Sequence, residues 1–254
     1  MKVERIDSQP VLSIPCLVPR ARGGSMESAI PVHLGRVDRL PGALSALIVT
    51  SDLQAREAAA ENRSIGVVLA EALENLARER RMDPGRIGVI LAGDLYTSAT
   101  LHRRFGVGDV SEVWDGFAGR FRWVTGVLGN VDRLPKKARK RHQLLEGDTA
   151  IFDSLRIAGV SGIIGSPRME NRRPEAAFLR EIAREIAREP DILILHEGPS
   201  VPGAGLRGND AVRRALNDFA GLVVCGHNTW PHPMATLGRA TVLNSDGRCL
   251  LLRG

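Results

Sequence analysis

The 254-residue chain has only three cysteines, Cys16, Cys225 and Cys249, and no CxxC pair. They are too few and too scattered for a disulfide framework or a structural zinc site, and a reducing cytoplasm is the expected compartment. No apolar run approaches the ~20 residues that a membrane span needs; the longest, such as Ile192 to Leu195, are strand-sized, so no membrane partner is expected. The N-terminal stretch carries acidic residues and prolines where a signal peptide needs an unbroken apolar core. Also missing are a GxxxxGKS/T phosphate loop, a GxGxxG after a strand, a GxSxG elbow and an HExxH pair. Their absence sets aside the common nucleotide-binding, serine-hydrolase and zincin chemistries. No internal repeat is visible.

What is present is ordinary for a globular protein with a full core: 43% hydrophobic and 25% charged residues. Glycine (27) and proline (14) are slightly abundant, which fits many tight loops. The net charge of +6 is concentrated in Lys136, Lys137, Arg139, Lys140 and Arg141, with Arg133 nearby. Such a run is either a solvated face or a surface that attracts phosphorylated or polyanionic ligands. No aromatic residue interleaves it, so a base-stacking platform is not indicated.

Residues 1–42 read as an irregular lead-in, because prolines at 10, 15, 19, 31 and 41 and the basic tract from Arg20 oppose a regular element. Residues 43–254 read as a single α/β domain. Strands are expected at Leu44–Thr50, Arg86–Ala92, Arg122–Leu128, Leu155–Ile164, Asp191–Leu195 and Leu222–Cys225, and helices at Ser64–Arg80, Val110–Arg120, Pro174–Arg188 and Asn209–Ala220. Ala240–Ser245 and Arg248–Leu252 read as a hairpin turned at Asp246-Gly247.

The informative residues stand at the ends of the strands. Five short apolar strands run straight into Asp52, Asp94, Asn130, His196 and His227. The carboxyl ends of strands in open α/β sheets form the crevice where ligands bind. Glycine precedes three of the five (Gly93, Gly129, Gly226), which lets the backbone turn sharply toward a common centre. Carboxylates, one carboxamide and two imidazoles make a donor set suited to Mn, Fe or Zn.

In this order, Asp52-Leu53-Gln54, Gly93-Asp94, Gly129-Asn130-Val131-Asp132, His196 and Gly226-His227-Asn228-Thr229 resemble the calcineurin-like metallophosphoesterases. The pattern of that family is Asp-x-His, Gly-Asp, Gly-Asn-His-Asp/Glu, His and Gly-His-x-His. The resemblance covers about residues 44 to 252. It implies a four-layer α/β/β/α sandwich and one or two divalent ions per chain (Mn, Fe, Zn or Ni). Asp94 would bridge them, Asn130, His196 and His227 would complete one site, and Asp52 with Gln54 would belong to the other. Asp94, Asn130 and Asp132 would be the catalytic set, acting on a phosphate mono- or diester by a metal-activated water. Three positions depart from the pattern: Gln54, Val131 and Thr229 each stand where the family has histidine.

His232, three residues past Thr229, is a candidate substitute ligand, although prolines flank it. Arg168 and Arg172, before the 174–188 helix, are candidates for gripping a phosphate, since guanidinium forks match its oxygens. Glu197 is either a loop residue or a partner that fixes an imidazole tautomer. Trp230 is expected to pack under its loop, and Cys225 to be buried. The substrate expected is a phosphorylated small molecule or nucleotide. The competing readings are a catalytically impaired binding or scaffold protein of the same fold, and a nucleic-acid-associated phosphodiesterase that uses the basic segment.

Overall fold

Runs such as Ala46-Leu47-Ile48-Val49-Thr50 are apolar on both faces, and β-branched residues favour strands over helices; this stretch is buried along its whole length. The computed structural model describes residues 1–20, 23–59, 61–101, 106–139 and 142–254. Along the chain come β1 (Val3–Ile6), β2 (Leu12–Pro19), β3 (Ser25–Val37), β4 (Ala46–Ser51), β5 (Arg56–Glu57), α1 (Ile65–Glu79), β6 (Ile87–Leu91), β7 (Gly108–Asp109), α2 (Ser111–Ala118) and β8 (Trp123–Gly126). Next are β9 (Asp132–Arg133), α3 (Lys136–Arg139), β10 (Gln143–Leu144), β11 (Asp148–Phe152), β12 (Leu155–Val160), β13 (Ile163–Ile164), β14 (Arg172–Arg173) and α4 (Glu175–Ile186). The last elements are β15 (Ile192–Glu197), α5 (Asp210–Ala215), β16 (Leu222–Gly226), β17 (Met234–Leu237), β18 (Ala240–Asn244) and β19 (Arg248–Arg253).

The protein is a mixed α/β fold with two main sheets. One has nine strands in the order β10-β8-β6-β4-β19-β3-β2-β5, with β1 also on β3; the other has six in the order β11-β12-β15-β16-β18-β17. In the first, β4, β6 and β8 run parallel as neighbours. In the second, β12, β15, β16 and β18 do the same.

Alternation along the strands splits the apolar side chains into three cores. Leu47, Val49 and Ile90 of the first sheet meet Ile157, Ile194 and Val224 of the second. On its other face the first sheet sends Ile48, Val89 and Leu91 against Leu69 and Leu73 of α1 and Trp114 and Phe117 of α2. The outer face of the second sends Leu193, Val223 and Cys225 against Phe178 and Ile182 of α4 and Val212 of α5. Both long helices bury the stripe that a 3.6-residue period marks.

Three sequence expectations are corrected here. Residues 1–42 are not an irregular lead-in, because β1, β2 and β3 belong to the nine-stranded sheet and β3 pairs in parallel with β19. The prolines are accommodated because Pro15 and Pro31 stand where their strands are paired on one side only, just before pairing to β5 and β19 begins. The tail is not a hairpin: β18 pairs with β16 and β17 in one sheet, whereas β19 pairs with β3 and β4 in the other. Residues 245–247 therefore carry the chain between sheets. The strand expected over 155–164 is broken by Gly162, which takes a φ of 84°.

Among the described basic residues, Lys136, Lys137 and Arg139 lie on the short exposed α3, and Lys140 and Arg141 fall outside the described residues. Arg139 pairs with Glu146 and Arg133 with Glu170, so acids neutralise part of this run. Among the described residues no helix is long and apolar enough to cross a membrane.

Removing residues 1–42 would strip β3 from β19 and uncover the edge of the nine-stranded sheet. The shortened chain is expected to lose cooperative thermal unfolding by circular dichroism. A melting curve unchanged from the full chain would mean that the segment is dispensable.

Candidate metal centre

The parallel strands β4, β6, β8, β15 and β16 all end along one rim, and the residues there sit in an unusual backbone conformation. Asp52, Asp94 and His227 each have positive φ, at 54°, 53° and 68°. Left-handed backbone is costly for residues with a Cβ and persists where the surroundings enforce it, often at functional sites. The preceding glycines permit the crowding. A Cβ on Gly129 would lie 2.0 Å from Asp94 Oδ1, and one on Gly226 would lie 2.2 Å from Asp52 Oδ2.

Asp94 is the hub. Its Oδ1 accepts from the Val131 amide at 3.1 Å and lies 3.3 Å from His196 Nε2, and its Oδ2 accepts from Gln54 Nε2 at 2.8 Å. His196 is fully buried, and its Nδ1 lies 2.8 Å from the Ala92 carbonyl, an acceptor that requires this nitrogen to carry the proton. The His227 ring meets that of His196 edge-on at 5.1 Å. The ligating atoms of Asp94, His196 and His227 lie within 4.8 Å of one another. Two ligands with bonds near 2.1 Å to one ion stand at most about 4.2 Å apart, so a small inward shift would seat a cation among them.

Two further atoms test that fit. Asn130 Oδ1 is buried without a hydrogen-bond partner, and His196 Nε2 is buried with only the Asp94 carboxylate, at 3.3 Å, beside it. An unpaired buried polar atom costs about 1–3 kcal/mol, a cost that coordination of a cation by Asn130 Oδ1 would remove. The donor set of one carboxylate, two imidazoles and one carboxamide oxygen suits Mn, Fe or Zn.

The electrostatics point the same way. Burial opposes the charged form of His196, but the Asp94 carboxylate, Asp52 and the Ala92 carbonyl together lift the imidazole to about 10. Burial likewise works against the Asp94 anion, yet His196 and the Val131 amide hold its carboxyl below the ordinary range. His227 is pushed down by burial and by the neighbouring His196 charge, which keeps its lone pair free. Burial lifts Asp52 well above the usual carboxyl range; His196 opposes this, while Asp246 and Asp94 add to it. Without a cation, then, a proton on His196 compensates the crowded carboxylates.

Other expected residues fall elsewhere. Asp132, expected to be catalytic, spends both oxygens on backbone: Oδ1 accepts from Leu95 and Tyr96 at 2.7 and 3.0 Å, and Oδ2 from Gly129 at 3.0 Å. It clamps the Asp94 loop to the Asn130 loop, and burial with the Asp94 charge pushes it up to about 6. Gln54 turns its amide nitrogen to Asp94 and so occupies the oxygen that a bridging role would offer a second cation. Val131 is buried, and Thr229 is exposed.

His232 does not join the group; it is exposed and lines a separate cavity with Asp7, His33 and Arg248. Arg168 is exposed, Arg172 is half-buried on β14, and neither guanidinium makes a hydrogen bond or ion pair among the described residues. The link from that segment to the site is Asn171, whose side chain donates to the carbonyls of Gly129 and Asp132 at 2.8 and 2.5 Å. Glu197 accepts from Ile164 N and Asn209 Nδ2, so the tautomer of His196 is set by Ala92 instead. Trp230 is buried with its indole N–H on the Arg207 carbonyl.

The sequence reading missed Asp246. It lies just beyond β18, whose C-terminal end reaches the same rim as that of its parallel neighbour β16, and lines a cavity of about 450 Å³ with Asp52, Gln54 and Thr229. The strand-end rule that found the other five applied here too, but the Asp-Gly pair read as a turn.

No family model and no curated protein matches this chain. Among solved structures, a protein of unknown function from Aquifex aeolicus is similar at 13% identity, with a TM-score of 0.38, over 81% of this chain and 95% of that one.

A cation must displace the His196 proton to reach Nε2. Apparent Mn²⁺ affinity is therefore expected to fall about tenfold per unit as pH is lowered from roughly 9 to 6, measured by competition with a chromophoric chelator. An affinity independent of pH over that range would contradict the assignment.

Proposed function

We propose that the chain is a metal-dependent phosphoesterase of the calcineurin-like type, built on the four-layer α/β/β/α sandwich that this family has. The two sheets and three cores support the architecture, with helices on both outer faces. The observation that carries the functional reading is the convergence of Asp94, His196 and His227, whose ligating atoms lie within 4.8 Å of one another, on the rim that also carries the buried, unpartnered Asn130 Oδ1.

Asp94, Asn130, His196 and His227 would hold one divalent ion. A cation bound there lowers the pKa of a coordinated water toward neutrality and polarises a phosphoryl oxygen. The Ala92 carbonyl keeps the His196 ring from turning, and Asp132 fixes the two loops that carry Asp94 and Asn130. Asp52 lines the adjoining cavity, and its Oδ2 accepts from the His227 amide at 3.0 Å, which ties together the ends of β4 and β16. At position 131 the valine offers only its amide, already given to Asp94, so no side-chain acid is supplied there.

A second reading, a single-metal binding protein without turnover, is favoured by Gln54, whose amide nitrogen occupies Asp94 Oδ2. Elemental analysis is expected to find about one tightly held metal per chain on either reading, so turnover decides between them. Mn²⁺ or Ni²⁺ is expected to stimulate hydrolysis of an aryl phosphate mono- or diester. Asp94→Asn should reduce the rate by at least about a hundredfold, since loss of even an outer partner of a metal ligand costs about 10–100-fold. Turnover no higher than that of His196→Ala with any divalent metal would reject the enzyme reading.

A further inference from the structure

Side chains alternate across the β2–β3 hairpin, so Ile14 and Cys16 on β2 face the same way as their cross-strand partners Ile30 and Ser28 on β3. Ile14, Cys16, Ile30 and Val32 enter the core formed with α1. Toward the hairpin tip the same inward face continues with the cross-strand pair Val18 and Met26. There it borders the cavity of about 450 Å³ that also contains Asp52, Gln54 and Asp246. Met26 is thus a large apolar side chain on an inward face, yet it is 47% exposed.

The cavity is within the usual size of a small-molecule site, roughly 300–1,000 Å³. It adjoins the metal centre directly, because Gln54 lines it and donates to Asp94. Its lining is not basic: Arg20 is the single Lys or Arg among the described lining residues, in company with the acids Asp52 and Asp246. A polyanionic leaving group would find no excess of positive charge there, whereas an uncharged ring or alkyl group would cover Val18 and Met26.

Resting on the phosphoesterase reading above, we propose that the β2–β3 hairpin forms the pocket for the alcohol part of a small phosphate ester and selects a neutral, apolar alcohol. Nucleotides and nucleic acids are disfavoured by the same lack of a basic lining.

Phenylphosphonate and methylphosphonate test this, because neither is readily hydrolysed and the readout is binding. In calorimetric titrations of the full chain with Mn²⁺ present, phenylphosphonate is expected to bind about tenfold or more tightly than methylphosphonate. Ser28→Trp, which fills the cavity, should abolish that preference while leaving methylphosphonate affinity within about twofold, and Met26→Gln should reduce it about threefold. Equal affinities in the unaltered protein, a preference untouched by both substitutions, or no binding of either phosphonate would overturn the proposal. Absence of turnover on every ester, with the phosphonate preference intact, would reject the phosphoesterase reading while supporting the pocket.

Discussion

The hydrogen bond from His196 Nδ1 to the Ala92 carbonyl, at 2.8 Å, decides what the other nitrogen of that ring can do. It joins β15 of one sheet to the segment just beyond β6 of the other, and it fixes the tautomer from the side away from Asp94. Nε2 is left 3.3 Å from a carboxylate oxygen, in a place sealed from water. A lone pair cannot rest against a carboxylate there without something positive between them, so the position holds either a proton or a metal ion. The surrounding arrangement meets that requirement. Asp94 is held by the Val131 amide and by Gln54, and its strained backbone is kept in place by a Gly129 that has no side chain to obstruct it.

Much of this rim was legible in the sequence because its signals are local. An apolar run followed by Gly and a polar residue marks a buried strand that turns sharply at its end. Gly93-Asp94, Gly129-Asn130 and Gly226-His227 all stand at such strand ends, and the five strands expected to lead into the rim are present as β4, β6, β8, β15 and β16. What the sequence could not show was partnership across long separations. Pro15 and Pro31 argued against strands at the N-terminus, yet each stands where its strand has a neighbour on one side only. Asp246-Gly247 has the composition of a hairpin turn, and only the pairing of β19 with β3 and β4 shows that the chain is changing sheets. That misreading concealed a carboxylate beside Asp52.

The three positions that differ from the pattern the sequence resembles have physical descriptions. Gln54 is a donor that holds Asp94 in place, Val131 fills a buried position and gives its backbone amide to the same carboxylate, and Thr229 is exposed at the edge of the cavity. All three leave the His196 side of the rim intact. Asp132 changes role as well: a carboxylate expected to take part in chemistry is wholly engaged with three backbone amides and shapes the loops instead.

The central claim is that this rim is a cation site centred on Asp94 and His196. Anomalous diffraction from a crystal soaked in Mn²⁺ near neutral to mildly basic pH tests it most directly. One strong peak is expected, bonded to the Asp94 carboxylate, His196 Nε2, His227 and Asn130 Oδ1. A map with no peak among these four residues, with His196 still facing Asp94 through a proton alone, would contradict it.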